Sequence, residues 1–155
     1  MTTIAVNHEM VCSDSLCVDS GVRSVVQKIY TVPGGIIGFA GDVSQGLMFI
    51  EWYLSKGTEE YPFNEHFEAV VLNEEGEIYS YDSGLMPIKM EQPFYAIGSG
   101  KQAATAAMLL GCDPIEAVDL AIQVDTCTDG AVQILRLSDI PKEVKPKKSK
   151  KRKKK

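Results

Sequence analysis

Two threonines directly follow the first methionine, in the opening stretch MTTIAV. A threonine hydroxyl is a poor nucleophile unless a base removes its proton. If Met1 is cleaved, Thr2 becomes the first residue, and its α-amine can be that base, because an α-amine has an ordinary pKa of about 7.7–8.0. Methionine before a small residue such as threonine is normally removed in the cytosol. The opening residues would therefore permit a nucleophile and its base within one residue.

Paired apolar segments around short turns predict a chain rich in β-hairpins. Asn-His-Glu, Pro-Gly and Asn-Glu-Glu-Gly separate three such pairs. The paired segments are 2–6 with 10–13, 25–32 with 35–40, and 67–72 with 77–82. Single strands are expected over 94–98 and 130–137. Thr2 would start the first strand, which ties down a terminus that otherwise frays.

Three other segments have the apolar period of helices. Residues 42–56 carry Asp42 as a candidate N-cap and end before Gly57, residues 101–110 are rich in alanine, and a third helix starts at Asp113-Pro114. The strands come mostly in hairpins, and the helices do not alternate singly with them. This order excludes a doubly wound parallel sheet and favours antiparallel sheets covered by helices.

Charge divides the chain into an acidic body and a basic tail. Residues 1–141 contain 6 Lys and Arg against 20 Asp and Glu, whereas residues 142–155 contain 10 Lys and Arg and one Glu. Length and composition predict one folded domain, 1–140, and a disordered lysine-rich tail, 141–155. The acidic body argues against nucleic acid as the main ligand, although the tail could bind polyanions or fold back on the body.

The residue types give no sign of a zinc site, a membrane span or a secretion signal. The four cysteines form no CxxC pair and have no paired histidines nearby. MTTIAVNHEM lacks the cationic start and long apolar core of a signal peptide, and no stretch is apolar for long enough to span a bilayer. We therefore expect a cytoplasmic protein with reduced cysteines and with neither cofactor nor metal.

Six short stretches occur in an order shared with a known family. They are TTIAV from residue 2, CSDS from 12, VQKI from 26, IIGFAGD from 36, AIGSG from 96 and VDTCTDGAV from 124. In these stretches the chain resembles the N-terminal nucleophile hydrolases of the proteasome β-subunit and HslV type, especially their short phage- and bacterium-borne members. The resemblance implies an α+β fold, a four-layer αββα sandwich with two antiparallel sheets between helix layers, and a mature N-terminus in the active site.

The resemblance also implies a charged pair beside the nucleophile Thr2. Lys28 would be the ammonium that lowers the pKa of the terminal amine, and Asp14 would orient Lys28. Two alternatives stay open. Lys28 could be a protective cation on an edge strand, and an alignment that keeps a fixed distance back from Tyr30 puts Val25 in the place of the lysine.

Four more residues have catalytic roles by the same resemblance. Gly41 would donate its backbone N–H to the oxyanion, and Ser99, Asp125 and Thr128 would orient the terminal amine. Gly41 could instead serve a simple strand-to-helix turn, and Ser99 could cap the following helix. Asp125 is harder to explain by structure alone, because the C-terminus of a helix disfavours an acid.

Less specific matches outline a substrate pocket. Four uncharged, mostly apolar residues match positions beside the nucleophile, which predicts a preference for an apolar side chain before the scissile bond. These residues are Cys17, Val26, Phe39 and Val43. His8 and His66 are expected to take no part in a Ser-His-Asp site, because no G-x-S-x-G precedes a helix.

The resemblance implies a threonine-type peptidase or amidohydrolase in a homo-oligomeric ring. Its substrates would be peptides or unfolded proteins. The chain lacks a Gly-x-x-x-x-Gly-Lys-Ser/Thr stretch, so any ATP-driven unfoldase would be a separate partner. The alternatives are a non-catalytic structural or interaction subunit, a hydrolase of small amides, and a protein tethered to polyanions by its tail.

Overall fold

The computed structural model describes residues 1–58 and 66–141, and within these residues the chain forms eleven β-strands and three α-helices. The strands are β1 (Thr3–Asn7), β2 (Met10–Ser13), β3 (Leu16–Asp19), β4 (Val22–Val25), β5 (Ile29–Val32), β6 (Gly35–Ala40), β7 (Glu68–Asn73), β8 (Ile78–Tyr81), β9 (Ile88–Met90), β10 (Phe94–Gly98) and β11 (Gln133–Arg136). The helices are α1 (Val43–Leu54), α2 (Lys101–Leu109) and α3 (Pro114–Val124).

All strand pairs are antiparallel within the described residues. One sheet has four strands in the order β10-β1-β2-β11, and a second has five in the order β5-β6-β7-β8-β9. The strands β3 and β4 pair separately as a hairpin. The expected α+β class with antiparallel sheets is thereby confirmed, and a doubly wound parallel sheet is excluded.

Large apolar side chains fill the space between the two main sheets. Ile4 and Val6 of β1 and Val11 of β2 pack in one cluster with Ile36 of β6 and Val70 of β7, all fully buried. Successive side chains of a strand point to opposite faces, so the intervening residues of β1 must face elsewhere. The two sheets therefore share one core, and β1 lies at its centre.

Small side chains line the other face of the four-stranded sheet, where α2 and α3 pack. Ala5 of β1 and Cys12 of β2 meet Ala104 of α2 and Ala117 and Ala121 of α3. Alanine at these positions lets the helices approach the sheet and each other closely. Helix α3 begins with a capping box, in which the Asp113 carboxylate accepts from the backbone N–H of Glu116 and the Glu116 carboxylate accepts from the backbone N–H of Asp113.

Aromatic side chains join α1 to the five-stranded sheet. Phe49 of α1 is fully buried and lies against Phe67 and Tyr81, with ring centroids 5.3 and 5.1 Å away. Gly46 faces the ring of Phe39, and a Cβ at Gly46 would lie 2.2 Å from that ring. The absence of a side chain at Gly46 is thus what lets α1 sit on β6.

The predicted hairpins and helices are confirmed near their expected limits. Ile4 pairs with Ser13 and Leu72 with Ile78, and Asp42 caps α1 through its carboxylate. The prediction of one strand over 25–32 is wrong, since β4 ends at Val25 and β5 begins only at Ile29. The strands β3 and β9 were not predicted at all. Most of the expected loop 57–66 and nearly all of the tail 141–155 lie outside the described residues, and the domain boundary stays a prediction.

Candidate active site

The backbone of Thr2 is fixed on both sides at the start of β1. The N–H of Ser99 donates to the Thr2 carbonyl oxygen at 2.8 Å, and the N–H of Thr3 donates to Oδ1 of Asp14 at 3.0 Å. A Cβ at Gly98 would lie 1.9 Å from the Thr2 carbonyl oxygen, so glycine is required there for the close approach. Thr2 is only 4% exposed as a result.

A buried ion pair lies next to Thr2. Nζ of Lys28 lies 2.9 and 3.0 Å from the two carboxylate oxygens of Asp14, and the two side chains are 3% and 0% exposed. The same ammonium donates to the Met1 carbonyl oxygen at 3.3 Å. The Met1 carbonyl carbon is bonded to the Thr2 nitrogen, so the ammonium lies close to the atom that would become the terminal amine. Val25, the alternative to Lys28, is 81% exposed at the end of β4.

Burial lowers the pKa of the Lys28 ammonium below its ordinary value. The Asp14 carboxylate acts in the opposite direction, but it does not offset the loss of water around the ammonium. Asp14 is also held by backbone donors, the N–H groups of Leu16 at 3.3 Å and Asp129 at 3.2 Å. The carboxylate is thus fixed by three peptide N–H groups and one ammonium.

Gln133 of β11 positions the Lys28 segment, a role that no motif in the sequence predicted. Its amide nitrogen donates to the Val26 carbonyl at 2.7 Å, and its amide oxygen accepts from the Lys28 N–H at 3.0 Å. The Gln133 side chain therefore forms hydrogen bonds with the two backbone groups that a neighbouring strand would otherwise bond. These contacts lie in the interruption of the strand expected over 25–32, which spans residues 26–28.

Asp125 is the centre of a hydroxyl cluster on the other side of Thr2. Its Oδ2 accepts from Oγ of Ser99 at 2.6 Å and from Oγ1 of Thr128. Burial raises the pKa of the Asp125 carboxyl, but these two hydrogen bonds, a third from the Cys127 backbone and the nearby chain amine outweigh burial, so the pKa is lowered. Ser99 does not cap α2, because the N-cap residue is Gly100. Asp125 follows the last turn of α3 as its C-cap residue.

Gly41 connects β6 to α1 at the edge of a cleft beside Thr2. Its φ of +119° lies in a region that side chains rarely adopt, and a Cβ there would lie 2.3 Å from the His66 carbonyl oxygen. The cleft has a volume of about 790 Å³ and is lined by Thr2, Gly41 and Ser99 among others. The structure thus brings these three predicted residues to one opening.

The lining of this cleft is more acidic than the predicted pocket. Asp42, Glu68 and Asp82 line it together with Lys101, whose Nζ lies 2.9 Å from Oε1 of Glu68. Among the described residues, the lining includes none of the four predicted pocket residues. Those four are Cys17, Val26, Phe39 and Val43.

Two of these pocket residues pack elsewhere. Phe39 is 1% exposed and stacks on Tyr30 at a centroid distance of 5.8 Å, in the core under α1, and Val43 packs against the same core. The other two, Cys17 and Val26, are half-buried.

Neither histidine contacts the polar clusters around Thr2. Nδ1 of His8 lies 2.6 Å from the Gly76 carbonyl oxygen, at the far end of β1, and His66 lines the cleft. Over residues 1–58 and 66–141, no group of three or more His, Cys, Asp or Glu side chains could hold a metal ion. In the same ranges, no helix has the length and apolar character needed to cross a membrane.

Comparison with solved structures gives high similarity over nearly the whole chain. HslV from Trypanosoma brucei has a TM-score of 0.71 and 18% identity, covering 86% of this chain and 98% of its own. BPH from Thiobacillus denitrificans has a TM-score of 0.65 and 17% identity, covering 90% and 99%; its complex with epoxomicin has 0.65 and 16%, covering 88% and 98%. No protein-family model and no curated protein matches the sequence. The resemblance inferred from the motifs is confirmed at the level of the fold.

Proposed function

We propose that the chain is a threonine-type peptidase or amidohydrolase that uses Thr2 as its nucleophile after Met1 is lost. The observation that carries this proposal is the position of Lys28, whose ammonium contacts both the Asp14 carboxylate and the Met1 carbonyl. Lysine side chains are rarely buried, and this ammonium lies beside the peptide bond between residues 1 and 2. It is what a terminal amine needs in order to stay neutral, because a neighbouring positive charge disfavours the ammonium form of that amine.

In the proposed reaction, the α-amine of Thr2 takes the hydroxyl proton while Oγ1 attacks the carbonyl carbon of an amide. The π electrons of the carbonyl move to its oxygen, and the backbone N–H of Gly41 donates to that oxyanion. Collapse of the resulting tetrahedral intermediate breaks the C–N bond of the amide, and the leaving amine takes the proton from the α-ammonium. A water molecule then hydrolyses the acyl ester with the same amine as base.

Ser99, Asp125 and Thr128 are proposed to orient the terminal amine. The hydroxyls of Ser99 and Thr128 donate hydrogen bonds to the Asp125 carboxylate, so lone pairs on both hydroxyl oxygens remain to accept from the amine. The fold supports the proposal in a second way, because HslV and BPH share it and BPH has been captured with epoxomicin. The three buried clusters described above support the αββα layer order.

We also propose that the chain forms a homo-oligomer and acts on peptides or unfolded proteins. Val18, Val22 and Val25 of the β3–β4 hairpin are all more than half exposed, and a two-stranded hairpin is marginally stable by itself. We infer that a second copy of the chain packs on the hairpin. Light scattering after gel filtration tests this, and a monomer at micromolar concentration would contradict it. A separate ATP-driven unfoldase and a cytoplasmic location stay predictions from the resemblance.

Mass spectrometry of the intact protein treated with epoxomicin tests the chemistry. The hydroxyl of a terminal threonine adds to the ketone of an epoxyketone and the amine opens the epoxide, so the protein gains the whole mass of the inhibitor. We expect wild type to lack Met1 and to gain this mass. Thr2→Ala should gain none, whereas His66→Ala, which alters another residue of the cleft, should still react.

The outcomes separate the proposed function from its alternatives. Retention of Met1 together with no adduct would reject the enzyme and favour a non-catalytic subunit. An adduct that persists in Thr2→Ala would place the nucleophile elsewhere. Melting temperatures of the two variants within a few degrees of wild type show that the comparison is between folded proteins.

A further inference from the structure

The second threonine of the chain is buried against the proposed site. Thr3 is fully buried, and its Oγ1 lies 2.6 Å from Oγ1 of Thr128. Gly100, the N-cap of α2, packs closely against this contact and against α3. A Cβ at Gly100 would lie 2.0 Å from the Thr3 hydroxyl oxygen and 3.1 Å from Cβ of Ala121. A side chain at residue 100 would therefore displace the Thr3 hydroxyl from this position.

The direction of the hydrogen bond between the two threonines follows from proton counting. A threonine hydroxyl has one proton to donate and two lone pairs that accept. Thr128 gives its proton to Oδ2 of Asp125, which is a carboxylate and can only accept. In the contact between the threonines, Thr3 must therefore donate and Thr128 must accept. The resulting chain runs from Thr3 through Thr128 to Asp125.

A donor behind Thr128 has two physical effects. It holds the Thr128 side chain in the rotamer that faces Asp125, and it polarises the Thr128 O–H, which strengthens that hydroxyl as a donor to the carboxylate. Ser99 reaches the same carboxylate oxygen from the other side and also lies 3.4 Å from the Thr2 carbonyl oxygen. The Thr3 hydroxyl is thus linked through Thr128 and Asp125 to Ser99, which lies beside residue 2.

We propose that Thr3 is a positioning residue of the site, whose hydroxyl fixes Thr128 and Asp125 and through them the terminal amine of Thr2. This inference rests on the proposed function, since it concerns how the same amine is held. It predicts that the second position of the mature chain needs a hydroxyl group there, and that shape alone does not suffice. The sequence TT at the start of the chain is then one functional unit of two residues.

Replacing Thr3 by valine and by serine separates the two readings of this position. Valine keeps the size and shape of threonine but removes the hydroxyl, whereas serine keeps the hydroxyl but loses the methyl group. If Thr3 acts through its hydroxyl, kcat of Thr3→Val should fall about tenfold at nearly constant KM, the size expected for one hydrogen bond, and Thr3→Ser should stay within about threefold of wild type. If Thr3 only fills space, the order of the two variants should be reversed. Thr31→Val, an exposed position on β5, is the matched control and should equal wild type.

A second measurement does not depend on catalysis. The carboxyl carbon of Asp125 is followed by NMR as the pH is lowered, in wild type, Thr3→Val and Thr3→Ser. Losing the donor behind Thr128 weakens its hydrogen bond to Asp125, so the titration of Asp125 should move to higher pH in Thr3→Val only. Intact mass of each variant confirms that Met1 is removed equally.

The two experiments distinguish failure of this inference from failure of the proposed function. If wild type neither turns over peptides nor reacts with epoxomicin, the proposed function fails, and the titration of Asp125 still decides how Thr3 acts. If wild type is active and Thr3→Val matches it in kcat and in the Asp125 titration, the inference is overturned.

Discussion

Breaking the ion pair between Lys28 and Asp14 should cost far more stability than breaking an ion pair on the surface. Lys28→Met keeps the length and apolar stem of the side chain but removes the ammonium. It leaves a carboxylate that is 0% exposed without its counter-ion. The matched control is Lys89→Met, which breaks the pair of Lys89 with Glu77, 2.7 Å apart and with side chains 45% and 36% exposed.

The expected size follows from burial and from the remaining partners of Asp14. Removing one partner of a buried pair typically costs about 3–5 kcal/mol, whereas an exposed pair contributes about 0–1 kcal/mol. Asp14 keeps its three backbone N–H donors after the change, so we place Lys28→Met at the lower end, about 3 kcal/mol. For a chain of this length, that corresponds to a fall in Tm on the order of 6–12 °C.

Urea unfolding followed by circular dichroism measures both variants against wild type at pH 7. We expect the midpoint of Lys28→Met to move to much lower urea at an unchanged slope, and that of Lys89→Met to move little. A loss below about 1 kcal/mol in Lys28→Met, equal to that in Lys89→Met, would show that the ammonium of Lys28 is not the main partner of the buried carboxylate.

Three further predictions follow from the packing, from burial and from the charge of the cleft. Gly46→Ala should lower the free energy of unfolding by about 1–3 kcal/mol, because the added Cβ would lie 2.2 Å from the Phe39 ring, although alanine favours helices. Thermal melts give the sign of the change, and a stabilised variant would contradict close packing of α1 on Phe39. Burial raises the pKa of the Cys12 thiol to about 12. Iodoacetamide at pH 8 should therefore leave Cys12 unmodified in the native protein, while the half-buried cysteines react. Peptide mapping should find Cys12 alkylated only after unfolding. Asp42 and Asp82 line the cleft without an ion pair among the described residues. Peptides with lysine near the scissile bond should therefore be cleaved several-fold faster than those with glutamate, and the ratio of the two rates should shrink in high salt. Equal rates at low salt would refute the acidic cleft as a source of specificity.

Local signals in the sequence predicted the elements well where the deciding interactions are also local. Asp42 and Asp113 cap helices through contacts two or three residues away, and the hairpin of β1 and β2 is set by its short turn and alternating apolar residues. The hairpin of β3 and β4 was missed because its exposed valines do not alternate with polar residues in the usual way. It is a small sheet of its own with little core to impose a pattern.

The candidate site was predictable only where motifs of the resembling family carried it. Asp14, Lys28, Ser99, Asp125 and Thr128 were all selected from short stretches, and the structure brings them around residue 2. No local pattern predicts the contacts of Gln133 or of the Thr3 hydroxyl, because their partners lie more than 100 positions away in the sequence. The lining of the cleft was missed for the same reason, since Glu68 and Asp82 come from strands and turns that no motif covers.

The site joins residues that lie far apart in the polypeptide. Thr2 and Asp14 leave the ribosome well before Asp125, Thr128 and Gln133, which are added more than 100 residues later. A nascent chain therefore exposes Thr2 and Thr3 long before the residues that are proposed to orient them exist. If the proposed chemistry holds, unfinished molecules have no competent centre, and hydrolysis begins only once translation of the whole domain is over.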